Sequence, residues 1–232
     1  YAEAYYANIK QIASLLTNAF LVSDKQARRD EGAYNRYEPY FSTELGSLYK
    51  GDCLDLFPIV PDESIDCVFA DPPFNLDKKY DKGIDDQKSP SAYISWCLEW
   101  IQECARVLRT GGSLFIYNIP KWSTFFVEHL NHLLTFRGWI AVDMKFSFPI
   151  RNRLYPSHYS LLYYIKGDRP TTFNPQRVPL ETCRHCGGEL RDYGGYKGKM
   201  NPNGVNVSDV WSDIYPVRHK NSKNRPYNEL PV

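Results

Sequence analysis

Long apolar runs are missing from this sequence of 232 residues. No stretch approaches the roughly 20 apolar residues that a membrane-spanning helix needs. An excess of one charge sign is missing too. The 28 Lys and Arg against 27 Asp and Glu leave a net charge of +1, which excludes a strongly basic nucleic-acid coat but not a local basic face. Cysteine is sparse and scattered, six in all, too few for a secreted disulfide scaffold. Cys53, Cys67, Cys97 and Cys104 stand in apolar contexts that suit reduced core thiols. The opening Tyr1-Ala-Glu-Ala-Tyr-Tyr has neither the basic flank nor the apolar core of a signal peptide, and a reducing cytoplasm is the expected compartment. Internal repeats and low-complexity tracts are absent.

What is present is an ordinary globular balance, 43% apolar and 24% charged, with enough chain to bury a core. Residues 1–22 predict a helix, because Tyr5, Ile9, Ile12, Leu15, Leu16 and Phe20 fall near a 3.6-residue period. Residues 23–46 are polar and read as a linker. From Ser47 the pattern becomes α/β. A short strand over 47–54 ends in a turn, and one or two helical turns follow to Val60. Ile65–Ala70 is a short apolar run of the kind that forms a strand buried on both faces. A polar loop covers 75–89. Ser91–Leu108 predicts an amphipathic helix, capped by Ser91 and closed by Gly111-Gly112. A strand at 113–117, a helix at 121–134 and strands at 139–146 and 158–165 complete the series. This alternation implies a mainly parallel sheet covered on both faces. Beyond Lys166 the periodicity disappears into a loop-rich appendage.

The sharpest feature is Asp71-Pro72-Pro73-Phe74, directly after the buried strand. In open α/β sheets ligands bind outside the carboxyl ends of the strands, which is where Asp71 stands. Two prolines fix the backbone and contribute no donors of their own. A carboxylate and a rigid carbonyl can together accept both hydrogens of an exocyclic amino group, and Phe74 offers a flat face for a ring. Taken alone, the tetrapeptide reads equally well as a plain strand-to-loop turn.

Its surroundings resemble the amino-group DNA methyltransferases that use S-adenosylmethionine, whose catalytic motif is Asp/Asn/Ser-Pro-Pro-Tyr/Phe. The likeness runs from about Leu48 to the end. It includes Gly51-Asp52-Cys53-Leu54, the segment Arg106-Val-Leu-Arg-Thr-Gly-Gly112, and the strand His158–Lys166. The order, with the catalytic motif towards the N-terminus, is that of the circularly permuted β group. The resemblance implies a Rossmann-like α/β methyltransferase core with a loop-rich target-recognition appendage. It divides the chain into an N-terminal helix and linker (1–46), a catalytic region (47–168), a target-recognition region (169–220) and the start of a cofactor-binding half (221–232).

The implied chemistry is direct methyl transfer to nitrogen. Asp71 and the Pro72 carbonyl hold the amine while Phe74 stacks on a base flipped out of duplex DNA. Adenine N6 is expected, because an Asp at the first motif position leans that way; cytosine N4 is the alternative. Asp52 and Cys53, with Asp71, are implied to border the cofactor. His158 falls where relatives often place a polar residue near the flipped base, and reads equally as an ordinary strand-end histidine. Arg177, Arg184, Arg191, Lys197, Lys199 and Arg218, with Tyr193, Tyr196, Trp211 and Tyr215 interleaved, are the candidate DNA contacts.

Two features depart from this pattern. Cys183-Arg-His-Cys186 looks like half of a zinc knuckle, but four ligands are needed, so no metal is expected. The glycine-rich cofactor loop of the family has no counterpart here. The chain thus resembles the front two-thirds of such an enzyme, truncated or split from a partner half, with a homodimer as a further possibility. A non-catalytic DNA-binding or partner-binding fragment is the rival reading, and an RNA or small-molecule methyltransferase the third.

Overall fold

A computed structural model describes residues 38–76, 87–144, 149, 151–152, 154–182, 185, 188–192, 194–212 and 214. The helix expected over 1–22 lies outside them, as do Cys183, Arg184, Cys186, Tyr193, Tyr215 and Arg218. The elements that position the site are β3 (Ile65–Ala70), α2 (Pro90–Val107), β4 (Leu108–Asn118), α3 (Pro120–Leu133), β5 (Thr135–Asp143) and β6 (His158–Ile165). Ahead of them come β1 (Phe41–Thr43), β2 (Gly46–Leu48) and the short α1 (Cys53–Leu56). After them come β7 (Arg177–Val178), β8 (Val205–Asn206) and β9 (Val210–Trp211).

Five strands form the central sheet in the order β3-β4-β6-β5-β9. β3 is parallel to β4, β6 is antiparallel to both β4 and β5, and β9 is parallel to β5. Four of the five strands therefore share one direction, and β6 alone is reversed. The core is an α/β layer on a mainly parallel sheet, as expected.

The two crossover helices lie on one face of the sheet rather than on both. The steps β3 to β4 and β4 to β5 move the same way across the sheet, and right-handed crossovers that move the same way deposit their helices on the same side. That side is the main core. Cys97, Ile101 and Cys104 of α2 and Phe126 and Leu130 of α3 pack there against Leu114, Ile116, Leu162 and Tyr164. The opposite face holds a smaller cluster of Ile140, Val142 and Leu161, flanked by Phe69, Phe115, Tyr117, Tyr159 and Trp211. β3 is accordingly buried at Ile65 and half-buried over most of its length, short of the two-faced burial expected for it.

Three local expectations are corrected. Helix α2 is capped by Ser89, which accepts from Ala92 N at 3.2 Å, not by Ser91. Pro90 holds the first helical position, where a missing N–H costs nothing. Gly111-Gly112 does not close the helix but lies inside β4. There Gly111 adopts a positive φ of 81°, and a Cβ would meet the Thr171 hydroxyl and come within 3.0 Å of Thr171 N. Residues 41–48 form a separate β1–β2 hairpin, so the strand expected over 47–54 is confined to its first residues.

Arg106, near the end of α2, ties the entry to β3. It donates to the carbonyls of Phe57 at 2.8 Å and Val60 at 3.0 Å and pairs with Asp62 and Glu103. Among the described residues no helix is long and apolar enough to cross a membrane.

Candidate active site

Asp71 begins where β3 ends, since the β3–β4 ladder closes at Ala70 and Ile116. Pro72 and Pro73 bring no N–H, so the turn has no amide donor at those two positions. The donors come from the helix layer beneath. The Tyr93 hydroxyl, in the first turn of α2, donates to the Pro73 carbonyl at 2.6 Å. Trp122 Nε1, in the first turn of α3, donates to the Phe74 carbonyl at 2.7 Å. The Pro72 carbonyl receives no hydrogen bond from any described residue, and so stays available to a ligand. Asn75, at φ 53°, exchanges two side-chain hydrogen bonds of 2.8 Å with the backbone of Lys88. This clamps the far end of the turn to the residues just before α2.

Three aromatic rings stand beside Asp71. Phe74 lies 5.9 Å from Tyr117 and 5.7 Å from Tyr159, and the two tyrosines are 5.1 Å apart. All three pairs are tilted, at interplanar angles of 55°, 46° and 43°. Tyr117 comes from the end of β4. Tyr159 comes from the start of β6, which the reversed direction of that strand brings to the same rim. Asp71 retains an exposed edge, yet crowding by its neighbours desolvates the carboxylate and raises its pKa above the ordinary aspartate value. Burial, and secondarily the Asp71 charge, raises the Tyr159 pKa. Tyr117 shifts upward too, from burial first and then the charges of Tyr159 and Asp71. Both phenols are therefore neutral donors at ordinary pH. The arrangement can receive a flat ring edge-on or face-on while an amine at its edge meets a carboxylate and a carbonyl.

The other expected residues divide. Asp52 sits at the N-cap of α1, not at the end of a sheet strand, and its carboxylate accepts from Leu54 N at 3.0 Å. The thiol of Cys53 leans on the same carboxylate and is pushed up to about 11 by burial first and by Asp52 second. A carboxylate offers about four acceptor positions, so Asp52 keeps capacity for an amino group. His158 is an exposed strand end opposite Asp143, next to the ring that does line the site.

Among the candidate DNA contacts, Arg177 is spent on the Gly204 carbonyl at 2.9 Å. Arg191 pairs with Glu181 and Lys197 with Glu189. Lys199 lies over the Tyr196 ring, 5.2 Å from its centroid. Trp211, interleaved with them in sequence, joins the second face of the sheet, with its indole N–H given to Ser208 O. No group of three or more His, Cys, Asp or Glu residues that could hold a metal occurs among the described residues.

Sequence reasoning missed Tyr93, Tyr117, Asn118, Trp122 and Tyr159. For Tyr117 and Tyr159 a signal was available: each is an aromatic residue at the end of a strand that borders Asp71. For the other three the partners lie far along the chain, and no local pattern reveals them.

The chain has recognisable relatives. The type II methyltransferase M.BamHI of Bacillus amyloliquefaciens is 60% identical over 230 residues, covering 99% of this chain and 53% of that protein. The DNA adenine methyltransferase YhdJ of Escherichia coli K12 is 31% identical over 154 residues, covering 66% of this chain and 52% of that protein. Among solved structures, the cytosine-N4-specific PvuII DNA methyltransferase aligns with a TM-score of 0.46 at 18% identity, covering 57% of this chain and 53% of that one. The chain thus spans about half the length of the curated relatives it matches. Residues 65–232, from the first core strand through the Asp-Pro-Pro-Phe turn and beyond, match the family described as DNA methylase, and the chain belongs to that family.

Proposed function

We propose that this chain is the catalytic portion of a DNA methyltransferase that acts on an exocyclic amino nitrogen of a base flipped out of the duplex. The observation that carries the reading is the state of the turn after β3. Its last two carbonyls are pinned from below, while Asp71 and the Pro72 carbonyl are left to accept the two hydrogens of an amine. An aromatic amine is a weak nucleophile because its lone pair is delocalised into the ring. Holding both hydrogens off the ring plane lets the nitrogen pyramidalise, and the Asp71 charge favours the ammonium that develops. Phe74, with Tyr117 and Tyr159 beside it, receives the extruded base. The names of the relatives support DNA as the substrate.

S-adenosylmethionine supplies the methyl group, and Asp52, Cys53 and Asp71 are the residues of this chain that would border it. Asp52 fits that duty because its carboxylate is fixed by the N-terminus of α1 while retaining acceptor capacity. Lys199 and the basic residues around it are proposed to meet the phosphate backbone. The divisions at residues 46, 168 and 220 are kept as the proposed domain boundaries, and a homodimer or a partner subunit as a proposed assembly.

The test is methyl transfer from labelled cofactor to duplex DNA by the full-length protein, followed by digestion to nucleosides. N6-methyladenine is expected from the leading Asp of the motif. N4-methylcytosine would move the assignment to the other base that presents the same amine. Label on cytosine carbon 5, a preference for structured RNA, or DNA binding with no transfer would refute the proposal.

A further inference from the structure

A fully buried polar group under the site belongs to a residue that the chemistry itself does not touch. Asn118, at the end of β4, is fully buried. Its Oδ1 accepts from Ile119 N at 2.8 Å, which fixes the rotamer, and its Nδ2 donates to the Tyr93 hydroxyl at 3.1 Å. That hydroxyl in turn donates to Pro73 O at 2.6 Å. The Tyr93 hydroxyl takes a hydrogen from Asn118, which can only donate there, and gives its own to Pro73 O, which can only accept, so the direction of the bonds is settled from Asn118 outwards. The Tyr93 and Trp122 rings pack 4.8 Å apart, with only 1% and 2% of their surfaces exposed. Their two polar ends thus reach two successive carbonyls of one turn from a single rigid block. The turn itself has no amide hydrogen at positions 72 and 73 with which to hold its own shape.

Resting on the methyltransferase reading, we propose that Asn118, Tyr93 and Trp122 are positioning residues. Acting through Pro73 and Phe74, they set the direction of the Pro72 carbonyl and the pose of the Phe74 ring. Buried polar groups that are fully satisfied specify one geometry, and half-satisfied ones permit several. Breaking the relay at Tyr93 leaves Pro73 O and one Asn118 N–H unpaired, and the turn is then free to rotate the Pro72 carbonyl away from the amine. A misplacement on the order of 1 Å costs about 100-fold in rate. The substrates meet the rim and not this block, so their affinities are spared.

The experiment is steady-state and single-turnover methyl transfer by full-length Tyr93→Phe, which keeps the ring and removes only the hydroxyl. The expected result is a fall of about 10- to 100-fold in kcat, with KM for DNA and for cofactor within twofold of wild type. With 2-aminopurine at the target base, the bound base is expected to become less stacked. A kcat within twofold of wild type, even alongside a lower melting temperature, would show a merely structural support and overturn the proposal. So would a raised KM at unchanged kcat. Trp122→Phe, which removes the other donor while keeping a ring, carries the same test should Tyr93→Phe not fold. Asp71→Ala serves as the control. Full turnover in that variant would indict the methyltransferase reading, whereas loss there with full turnover in Tyr93→Phe would indict the relay alone.

Discussion

Replacing Asp71 tests the chemistry most directly. Asp71→Ala removes one of the two acceptors for the amine hydrogens and the only charge among them. Deleting one preorganised group that stabilises developing charge costs about 2.7–4 kcal/mol, or 10²- to 10³-fold in kcat. Asp71→Asn keeps a neutral oxygen in place and should lose less. The two variants also separate by pH. Only the ionised carboxylate accepts both ways without offering a hydrogen of its own, and desolvation raises its pKa above that of a free aspartate. The rate of the wild-type protein should therefore rise with pH through a value higher than an ordinary aspartate, then level off. Asp71→Asn should show no such acid limb. The same upward shift means that the fold binds this proton more tightly than the unfolded chain does. The charged carboxylate thus opposes folding above that range, and Asp71→Asn should melt no lower than wild type at neutral pH. Single-turnover transfer of labelled methyl, measured across pH with melting curves alongside, reads all of these. A kcat for Asp71→Ala within tenfold of wild type, or an acid limb surviving in Asp71→Asn, would refute the reasoning.

Other consequences are open to the same treatment. Gly111→Ala forces a side chain onto a φ of 81° and against Thr171. It should destabilise by about 2–4 kcal/mol, read as an earlier denaturation midpoint, and an unchanged midpoint would mean that β4 does not turn there. Arg106→Leu leaves the Val60 carbonyl without its donor and takes from Phe57 O the one it accepts besides Val60 N. It should cost roughly 2–3 kcal/mol in urea unfolding, and a loss below 0.5 kcal/mol, on the order of an ordinary surface change, would show that the hub is replaceable. Phe74→Ala removes a stacking face worth about 1–3 kcal/mol per base. Complexes with 2-aminopurine at the target should become weaker and brighter, and unaltered fluorescence would take the base away from Phe74.

Much of the layout was legible in the residues because it is periodic. β3, α2, α3 and β6 follow from apolar spacing, and the end of β3 before Asp71-Pro72-Pro73-Phe74 follows from the prolines. The errors arose where distant parts of the chain decide. Gly111-Gly112 has the composition of a helix terminator, but a strand claims it, because Gly111 N donates to Lys166 O at 2.7 Å and Lys166 N donates to Gly112 O at 3.0 Å. The sidedness of the helices depends on the order of strands in the sheet, which no window of sequence contains. At the site, Asp71 to Phe74 could be picked out as a motif. Their supports could not: Tyr93, Trp122 and Asn118 find their partners 20, 48 and 25 positions away.

The reversal of β6 sets a condition on the aromatic cluster beside Asp71. Along this strand Tyr159 and Leu161 turn to one face, while Ser160, Leu162 and Tyr164 turn to the other. The strand is held on both flanks, with Ser160 opposite Asn118 of β4 and Ala141 of β5. A slip of one residue would carry the Tyr159 ring into the helix layer and put Ser160 or His158 in its place. It would also break two ladders at once. The identity of the ring beside Phe74 and Tyr117 is therefore a matter of alignment between strands, guarded by backbone ladders on both sides.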